Sequence, residues 1–258
     1  MRSRQNGGAM PNSKTLSPMI DKLSLWEKLT DEEKAAIVAL PHVTRTLAIG
    51  DFIVREDEAP THCGVMLSGY AIRHKIAGNG GRQIFSLHMK GDVSDLHNAV
   101  LRRADHNVQT ITTARVAFIP RAAIREISAR YPNIREAMWY ETLVDGSIFR
   151  EWTLNVGRRD ARVRTAHLLC EFGIRLSVAG LGSRTEFELP MTQEQLGDAL
   201  ALTPVHVNRM LMGLATEGLI QRHVREIHIL DYPRLARVGD FDTRYLHLDG
   251  AGFGDGGG

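Results

Sequence analysis

Five neighbouring side chains could make hydrogen bonds and apolar contacts with another molecule: Thr203, Val205, His206, Asn208 and Arg209. The last three carry N–H donors, and the first carries a hydroxyl group. Helices that enter the major groove of DNA commonly present hydrogen-bond donors near their N-terminus. The group therefore favours contact with nucleic acid, although an ordinary helical hairpin with a polar outer face has the same pattern.

Two helices joined by a short turn would position these side chains, and the sequence contains a start signal for each helix. Thr192 can cap a first helix, and Gln195, three residues later, completes a capping box. Thr203 is an N-cap candidate for a second helix, with Pro204 at its first position, where the missing N–H costs nothing. Gly197 falls where the two helices would approach closely. The stretch 191–211 is therefore predicted to be a helix-turn-helix.

A small β-hairpin is predicted directly after this helix pair. Residues 219–221 and 227–230 are short strand-like runs on either side of a turn at 223–226. Such a wing is not expected after an ordinary helical hairpin, so it strengthens the prediction of a DNA-binding element.

Together the helix pair and the wing resemble the winged helix of the Crp/Fnr superfamily of bacterial transcription regulators. Residues 157–169 resemble the helix that begins the DNA-binding domain of that family, and the N-terminal half resembles its sensor β-roll. The resemblance covers about residues 20–235. It implies an α+β chain with an N-terminal double-stranded β-roll (a jelly roll of the cyclic-nucleotide-binding type), a long dimerisation helix and a C-terminal winged helix-turn-helix.

The chain is accordingly divided into consecutive segments. We predict a disordered tail at 1–19, a sensor β-roll domain at 20–130, a dimerisation helix at 131–157, a winged-helix DNA-binding domain at 158–235 and a glycine-rich tail at 236–258. Short apolar runs between glycines predict strands in the second segment, and many short strands indicate a sandwich or barrel. They lie at 51–54, 64–67, 70–75, 83–87 and 108–111, and a helix at 121–128 follows them.

The predicted long helix carries more large apolar side chains than its own neighbours can cover. Trp139, Phe149 and Trp152 would be covered by a second subunit, although packing on the chain's own β-roll stays open. Asp145 and Gly146 are weak helix formers, so a break in mid-helix stays open too. The resemblance favours a homodimer, whose two recognition helices would read an inverted repeat with half-sites about one helical turn apart.

The resemblance also assigns roles to the recognition helix. Arg209 matches the arginine that the family directs at a guanine, where a guanidinium meets O6 and N7 together. His206 and Asn208 would contact a base or a phosphate, and Thr203 a phosphate. Val205 would offer an apolar contact, for example to a thymine methyl group.

This sequence departs from the best-known members of the family at three positions. Pro204 and Val205 stand where an arginine and a glutamate are usual, which puts the half-site sequence in doubt. Ala201 stands where a turn glycine is usual. If the turn keeps the same geometry, the left-handed alanine costs about 1 to 2 kcal/mol.

Cyclic AMP is not expected as the effector. Family members that bind cyclic nucleotides hold the ribose and phosphate with a glycine-glutamate pair and an arginine-serine pair. Here the turn 91–92 reads Gly-Asp, and 104–107 reads Ala-Asp-His-Asn. Asp105 would repel a phosphate, although Arg102 and Arg103 lie nearby and could substitute.

No other cofactor, metal site or catalytic site is predicted. Cys63 and Cys170 cannot supply the four thiolates of an iron–sulfur cluster, and burial is the plainer role for both. The histidines of the sensor half are isolated and do not indicate a haem ligand: His42, His62, His74, His88, His97 and His106. A cupin-like metalloenzyme would need a His-x-His pair, which is absent, and no catalytic motif occurs elsewhere. The chain is therefore not expected to be an enzyme.

Composition limits the remaining choices. With 258 residues, 43% of them hydrophobic, the chain can bury a large core and form two domains. A net charge of +2 is too small to indicate a nucleic-acid binder, so that prediction rests on local geometry. The sequence contains no signal peptide and no run that could span a membrane, which favours the cytoplasm.

We therefore predict a sequence-specific, homodimeric transcription regulator under the control of an unidentified effector. Its partners would be a double-stranded DNA operator and RNA polymerase. The alternative is a ligand-binding signalling module whose helix-turn-helix has no specific DNA readout.

Overall fold

The computed structural model describes residues 14–248. The N-terminal unit begins with two short helices, α1 (Ser17–Leu23) and α2 (Asp31–Val38). Seven strands follow: β1 (Val43–Leu47), β2 (Phe52–Val54), β3 (His62–Ser68), β4 (Ala71–Ile76), β5 (Arg82–His88), β6 (Asn107–Thr110) and β7 (Ala114–Pro120). A 3-10 turn, Leu96–Ala99, lies between β5 and β6.

The seven strands form two antiparallel sheets, in the orders β1-β7-β3 and β2-β6-β4-β5. A hydrophobic cluster between them takes Met66 and Val116 from one sheet and Val54, Ala71 and Val108 from the other. The predicted β-roll is therefore confirmed. The sequence missed β1, whose side chains are almost all exposed, and β7, which no glycine bounds.

Two helices follow the β-roll: α3 (Arg121–Arg130) and α4 (Pro132–Arg158). α4 is continuous over 27 residues, so the weak helix formers in its middle do not break it. Tertiary contacts account for this, because Asp145 pairs with Arg73 of β4. Trp139 is 66% exposed, as expected for a side chain that a partner covers. The prediction for Trp152 was wrong, because it is only 4% exposed and its Nε1 donates to Glu171 at 2.9 Å.

The C-terminal unit carries the predicted helix pair and wing. Its elements are α5 (Ala161–Val178), β8 (Glu186–Glu188), α6 (Gln193–Leu200), α7 (Pro204–Thr216), β9 (Ile220–His223), β10 (Glu226–Ile229) and α8 (Tyr232–Val238). β9 and β10 form the wing hairpin, and the short β8, which the sequence missed, pairs with β10. The α+β class with a winged helix-turn-helix is confirmed.

The two units share one hydrophobic core. Ile84 and Leu87 of β5 belong to the same buried cluster as Phe172 of α5 and Leu200 of α6. Arg175 of α5 also donates from Nη2 to the carbonyl of Leu87 at 2.6 Å. The β-roll therefore contacts the helix pair directly as well as through α4. No helix within the described range combines the length and hydropathy needed to cross a bilayer.

Both predicted tails were too long. The segment 1–19 was predicted to be disordered, but α1 begins at Ser17 and buries Met19 completely, because its apolar face packs in the core. The segment 236–258 was predicted to be a glycine-rich tail, but Leu246 and Leu248 are buried, and the Tyr245 hydroxyl donates to Glu171 at 2.8 Å. The remaining parts, 1–13 and 249–258, lie outside the described residues.

The turn between α6 and α7 contains one strained backbone conformation, at Ala201. Ala201 adopts φ 51° and ψ 49°, the left-handed conformation that the resemblance implied. Ala201→Gly should raise the free energy of unfolding by about 1 kcal/mol, because glycine removes the Cβ penalty at a small cost in chain entropy. The matched control is Ala199→Gly inside α6, which should lower it by a similar amount. Urea denaturation measures both, and a lower stability of Ala201→Gly would contradict the strain.

Candidate DNA-binding surface and sensor cavity

A side-chain cap fixes the start of each of the two helices. Thr192 Oγ1 accepts a hydrogen bond from the Gln195 amide at 3.2 Å, and Gln195 Oε1 accepts from the Thr192 amide at 2.8 Å. Thr203 Oγ1 accepts from the His206 amide at 3.3 Å. A Cβ at Gly197 would lie 2.5 Å from the Leu202 carbonyl oxygen. The caps and the close approach predicted from the sequence are therefore present, and they hold α7 at a fixed angle to α6.

α7 has one buried face and one free face. Val207, Leu211 and Leu214 are buried against the rest of the unit. The opposite face carries Val205, which is 81% exposed, and Met212, which is also exposed. A large aliphatic side chain so fully exposed at the first turn of a capped helix is available for contact with another molecule.

The five predicted contact residues lie together on the first turns of α7 and at its cap. Thr203, Val205 and Arg209 are exposed, whereas His206 and Asn208 are half-buried. Asn208 Oδ1 accepts a hydrogen bond from Gln193 Nε2 at 3.2 Å, so part of its bonding capacity joins α7 to α6.

Arg209 is the least constrained of the five. Across residues 14–248 its guanidinium takes part in no ion pair and no side-chain hydrogen bond. This contrasts with Arg162, which pairs with Glu217 on the same unit. The fork of donors on Arg209 is therefore free to meet a partner.

The wing adds basic residues that were not predicted as contacts from the sequence. Val224 at its tip is 86% exposed with φ 56°, and Arg222 Nε donates to the Val224 carbonyl at 3.0 Å. Arg225 and His223 flank the tip and are exposed. The signal for them was present, because the predicted turn at 223–226 already contained two of these side chains.

A second concentration of polar groups lies between the β-roll and α4. Lys22 Nζ contacts Asp92 Oδ1 at 3.0 Å and Glu141 Oε1 at 3.5 Å, and Arg73 pairs with Asp145. These groups surround a cavity of about 40 Å³. The absence of cyclic AMP as an effector stays a prediction.

His88, which lines this cavity, is expected to couple folding to pH. Burial and the positive charge of Arg73 lower the pKa of His88 from 6.5 to about 4, although Asp92 opposes the shift. Between these values the unfolded chain binds a proton that the folded chain does not. The free energy of unfolding should therefore fall by about 3 kcal/mol as the pH drops from about 6.5 to about 4.

The matching variant is His88→Gln, which removes the titrating ring but keeps a polar side chain. Over the same range, the slope of its unfolding free energy against pH should be smaller than that of the parent by an amount equivalent to about one bound proton. Denaturation at several pH values measures this slope. His62→Gln, at an exposed position, is the control and should keep the parent slope. An unchanged slope in His88→Gln would contradict the assignment.

The two cysteines are buried in separate parts of the fold. Burial and the nearby charge of Asp95 raise the pKa of the Cys63 thiol to about 12, and burial raises the pKa of Cys170 further. Both are therefore thiols and not thiolates at neutral pH. The prediction that they have structural roles agrees with this environment.

Sequence comparison gives two family matches, one in each half of the chain. Residues 44–131 match the cyclic nucleotide-binding domain, and residues 163–238 match the Crp-like helix-turn-helix domain. The chain is 30% identical over 209 residues to the probable transcriptional regulator flp of Lacticaseibacillus casei, covering 80% of this chain and 91% of that protein. It is 23% identical over 223 residues to the transcriptional activator protein anr of Pseudomonas aeruginosa, covering 86% and 91% respectively.

Comparison with solved structures gives the same architecture. FixK2 from Bradyrhizobium japonicum superposes with a TM-score of 0.71 at 24% identity, covering 77% of this chain and 98% of that chain. At this identity the likeness shows the fold alone. The relatives in sequence are named transcriptional regulators and activators. The β-roll, the long helix and the winged helix-turn-helix, together with these relatives, establish that the chain belongs to the Crp/Fnr family of transcription regulators.

Proposed function

We propose that this regulator is a homodimer that reads an inverted repeat in double-stranded DNA through α7, under the control of an effector still to be identified. RNA polymerase would be its second macromolecular partner, and the cytoplasm its compartment. The observation that carries the proposal is the free guanidinium of Arg209 on the exposed face of a helix whose N-terminus is capped.

The exposed apolar side chains of α4 support the dimer. Trp139 and Leu143 are one helical turn apart and lie on the same face, and the exposed Leu154 lies on that side nearer the C-terminus of the helix. Phe149 is half exposed but packs on Phe85 of β5, so it belongs to the contact with the chain's own β-roll. A surface this apolar is unusual for a chain that remains alone in water. Pairing of two α4 helices would cover it and would relate the two α7 helices by a two-fold axis.

The first turns of α7 support the readout. Arg209 can donate two hydrogen bonds to O6 and N7 of one guanine, and Val205 can contact a thymine methyl group. Thr203 and the N-terminus of α7 suit a phosphate, and His206 and Asn208 suit a base edge or a phosphate. The basic wing residues Arg222 and Arg225 would add contacts with the DNA backbone, as phosphates attract arginine without regard to sequence.

A salt titration separates this function from the signalling module without DNA readout. The DNA would be a duplex recovered by selection from a random pool, and its scrambled version would be the control. Affinity for the selected duplex should exceed that for the scrambled one by at least about a thousandfold and should fall steeply with salt. Equal affinities with equal salt dependence would favour the signalling module.

A further inference from the structure

Three side chains of types that can bind a metal ion meet beside α4: Asp95, His97 and His106. They come from the stretch of chain between β5 and β6. Asp95 precedes the 3-10 turn, His97 lies within it, and His106 directly precedes β6. One ligand atom from each lies within 4.8 Å of the other two. The Asp95 Oδ1 atom is 2.9 Å from His106 Nε2 and 3.1 Å from His97 Nε2.

Each ring nitrogen of His106 faces a carboxylate oxygen. His106 Nδ1 lies 2.8 Å from Asp105 Oδ1, while its Nε2 faces Asp95 Oδ1. A neutral imidazole has a single N–H, so if it donates to Asp105, a lone pair on Nε2 faces a carboxylate oxygen. Such an arrangement needs either a second proton or a cation between the two atoms.

Two further atoms of the group have no hydrogen bond. Asp95 is completely buried, and its Oδ2 has no hydrogen-bond partner among residues 14–248. The same holds for His97 Nε2, which approaches Asp95 Oδ1 without the alignment of a hydrogen bond. Buried polar atoms without a partner are rare in folded proteins, and a cation bound by His97 Nε2 and by both carboxylate oxygens of Asp95 would satisfy both of these atoms.

We propose that Asp95, His97 and His106 bind one divalent transition-metal ion of the Zn²⁺, Fe²⁺ or Co²⁺ type. Two imidazoles and one carboxylate suit such ions, whereas Mg²⁺ and Ca²⁺ prefer oxygen ligands. Separations of about 3 Å between ligand atoms agree with metal–ligand bonds of about 2.0 to 2.2 Å. Asp105 would accept the Nδ1 proton of His106 and thereby direct Nε2 at the metal, as carboxylates commonly do behind a ligand histidine.

The charges around the group can accommodate an added cation. The carboxylates of this region outnumber its buried cations. Three cations, Lys22, Arg73 and Arg175, face four carboxylates, Asp92, Asp95, Asp145 and Glu171, and Glu141 would be a fifth. Arg73 is the cation nearest the proposed site, with Nη2 at 3.6 Å from Asp95 Oδ1. Its guanidinium is already held by Asp145 and by the Ser94 carbonyl, so the charge of Asp95 is only partly compensated.

Titration with Co²⁺ tests the site directly. Full-length protein without an affinity tag, stripped with EDTA, should bind one Co²⁺ per chain and show the visible absorption of a nitrogen- and oxygen-coordinated ion. His97→Ala and His106→Ala should each weaken binding by at least about a hundredfold, and Asp105→Asn by about 10- to 100-fold. Zn²⁺ added in competition should displace the Co²⁺ spectrum.

The control is His62→Ala, which removes an exposed histidine on β3 and should leave the affinity unchanged. The side chain of His97 is 26% exposed, so His97→Ala is the variant expected to keep the parent fold, as a melting curve checks. Failure to bind Co²⁺ saturably would overturn the proposal. Equal Co²⁺ affinity in His97→Ala and the parent would overturn it too. The titration contains no DNA, so either failure leaves the proposed function standing.

Discussion

Leu143→Arg is expected to convert the dimer into monomers and to weaken binding of the selected DNA duplex by at least about a hundredfold. Leu143 is 60% exposed in the single chain and lies one turn from the exposed Trp139. In a dimer paired along α4, the substitution would place two guanidinium groups close to each other in an apolar interface. Burying unpaired charge costs several kcal/mol, which exceeds the roughly 2.7 kcal/mol that corresponds to a hundredfold change in affinity.

The measurement is sedimentation velocity for the oligomeric state and fluorescence anisotropy for the DNA affinity. Ile49→Arg is the matched control, because Ile49 is an aliphatic side chain with 69% exposure in the loop after β1, far from α4 in sequence. It should remain dimeric and should bind the duplex like the parent. A Leu143→Arg variant that stays dimeric with parental affinity would show that α4 does not form the interface through this face.

Arg209→Ala is expected to weaken the free energy of DNA binding by about 1 to 3 kcal/mol for each half-site. It should also relax the base preference at one position of that half-site. The reason is that a free guanidinium can meet O6 and N7 of one guanine together, and alanine offers no donor. In a dimer the loss occurs twice, so the affinity for the complete site should fall more than for a single half-site. Duplexes with each base at the contacted position, measured by anisotropy, give both quantities.

Arg209→Lys is the matched control for charge. Lysine keeps the positive charge but lacks the rigid fork of donors, so it should retain most of the affinity for scrambled DNA while losing discrimination at the same position. If Arg209→Ala instead weakened binding to all duplexes equally and lowered the salt dependence, Arg209 would be a phosphate contact and not a reader of sequence.

The helix pair could be predicted from the sequence because its signals are local. Thr192 and Gln195 are three residues apart, as are Thr203 and His206, so each cap forms within one turn of chain. The burial of Trp152 could not be predicted in this way. It depends on the Glu171 carboxylate of α5, which reaches the indole only after α5 folds back on α4.

The cluster beside α4 was missed for a similar reason. His97 and His106 are nine positions apart with no ligand motif between them, so the sequence presents them as isolated histidines. The 3-10 turn and the start of β6 bring them to one carboxylate oxygen. Spacing along the chain detects sites that form on a single helix or strand, whereas a site formed by the fold of a loop appears only in three dimensions.

Selection of bound sequences from a random pool of duplexes tests the central claim most directly, since it assumes no operator sequence. Two α7 helices related by a two-fold axis predict an enriched inverted repeat with half-sites about 10 base pairs apart, centre to centre, and a guanine in each half-site whose enrichment disappears with Arg209→Ala. Enrichment of a single asymmetric site, or a guanine enrichment that persists with Arg209→Ala, would contradict the account.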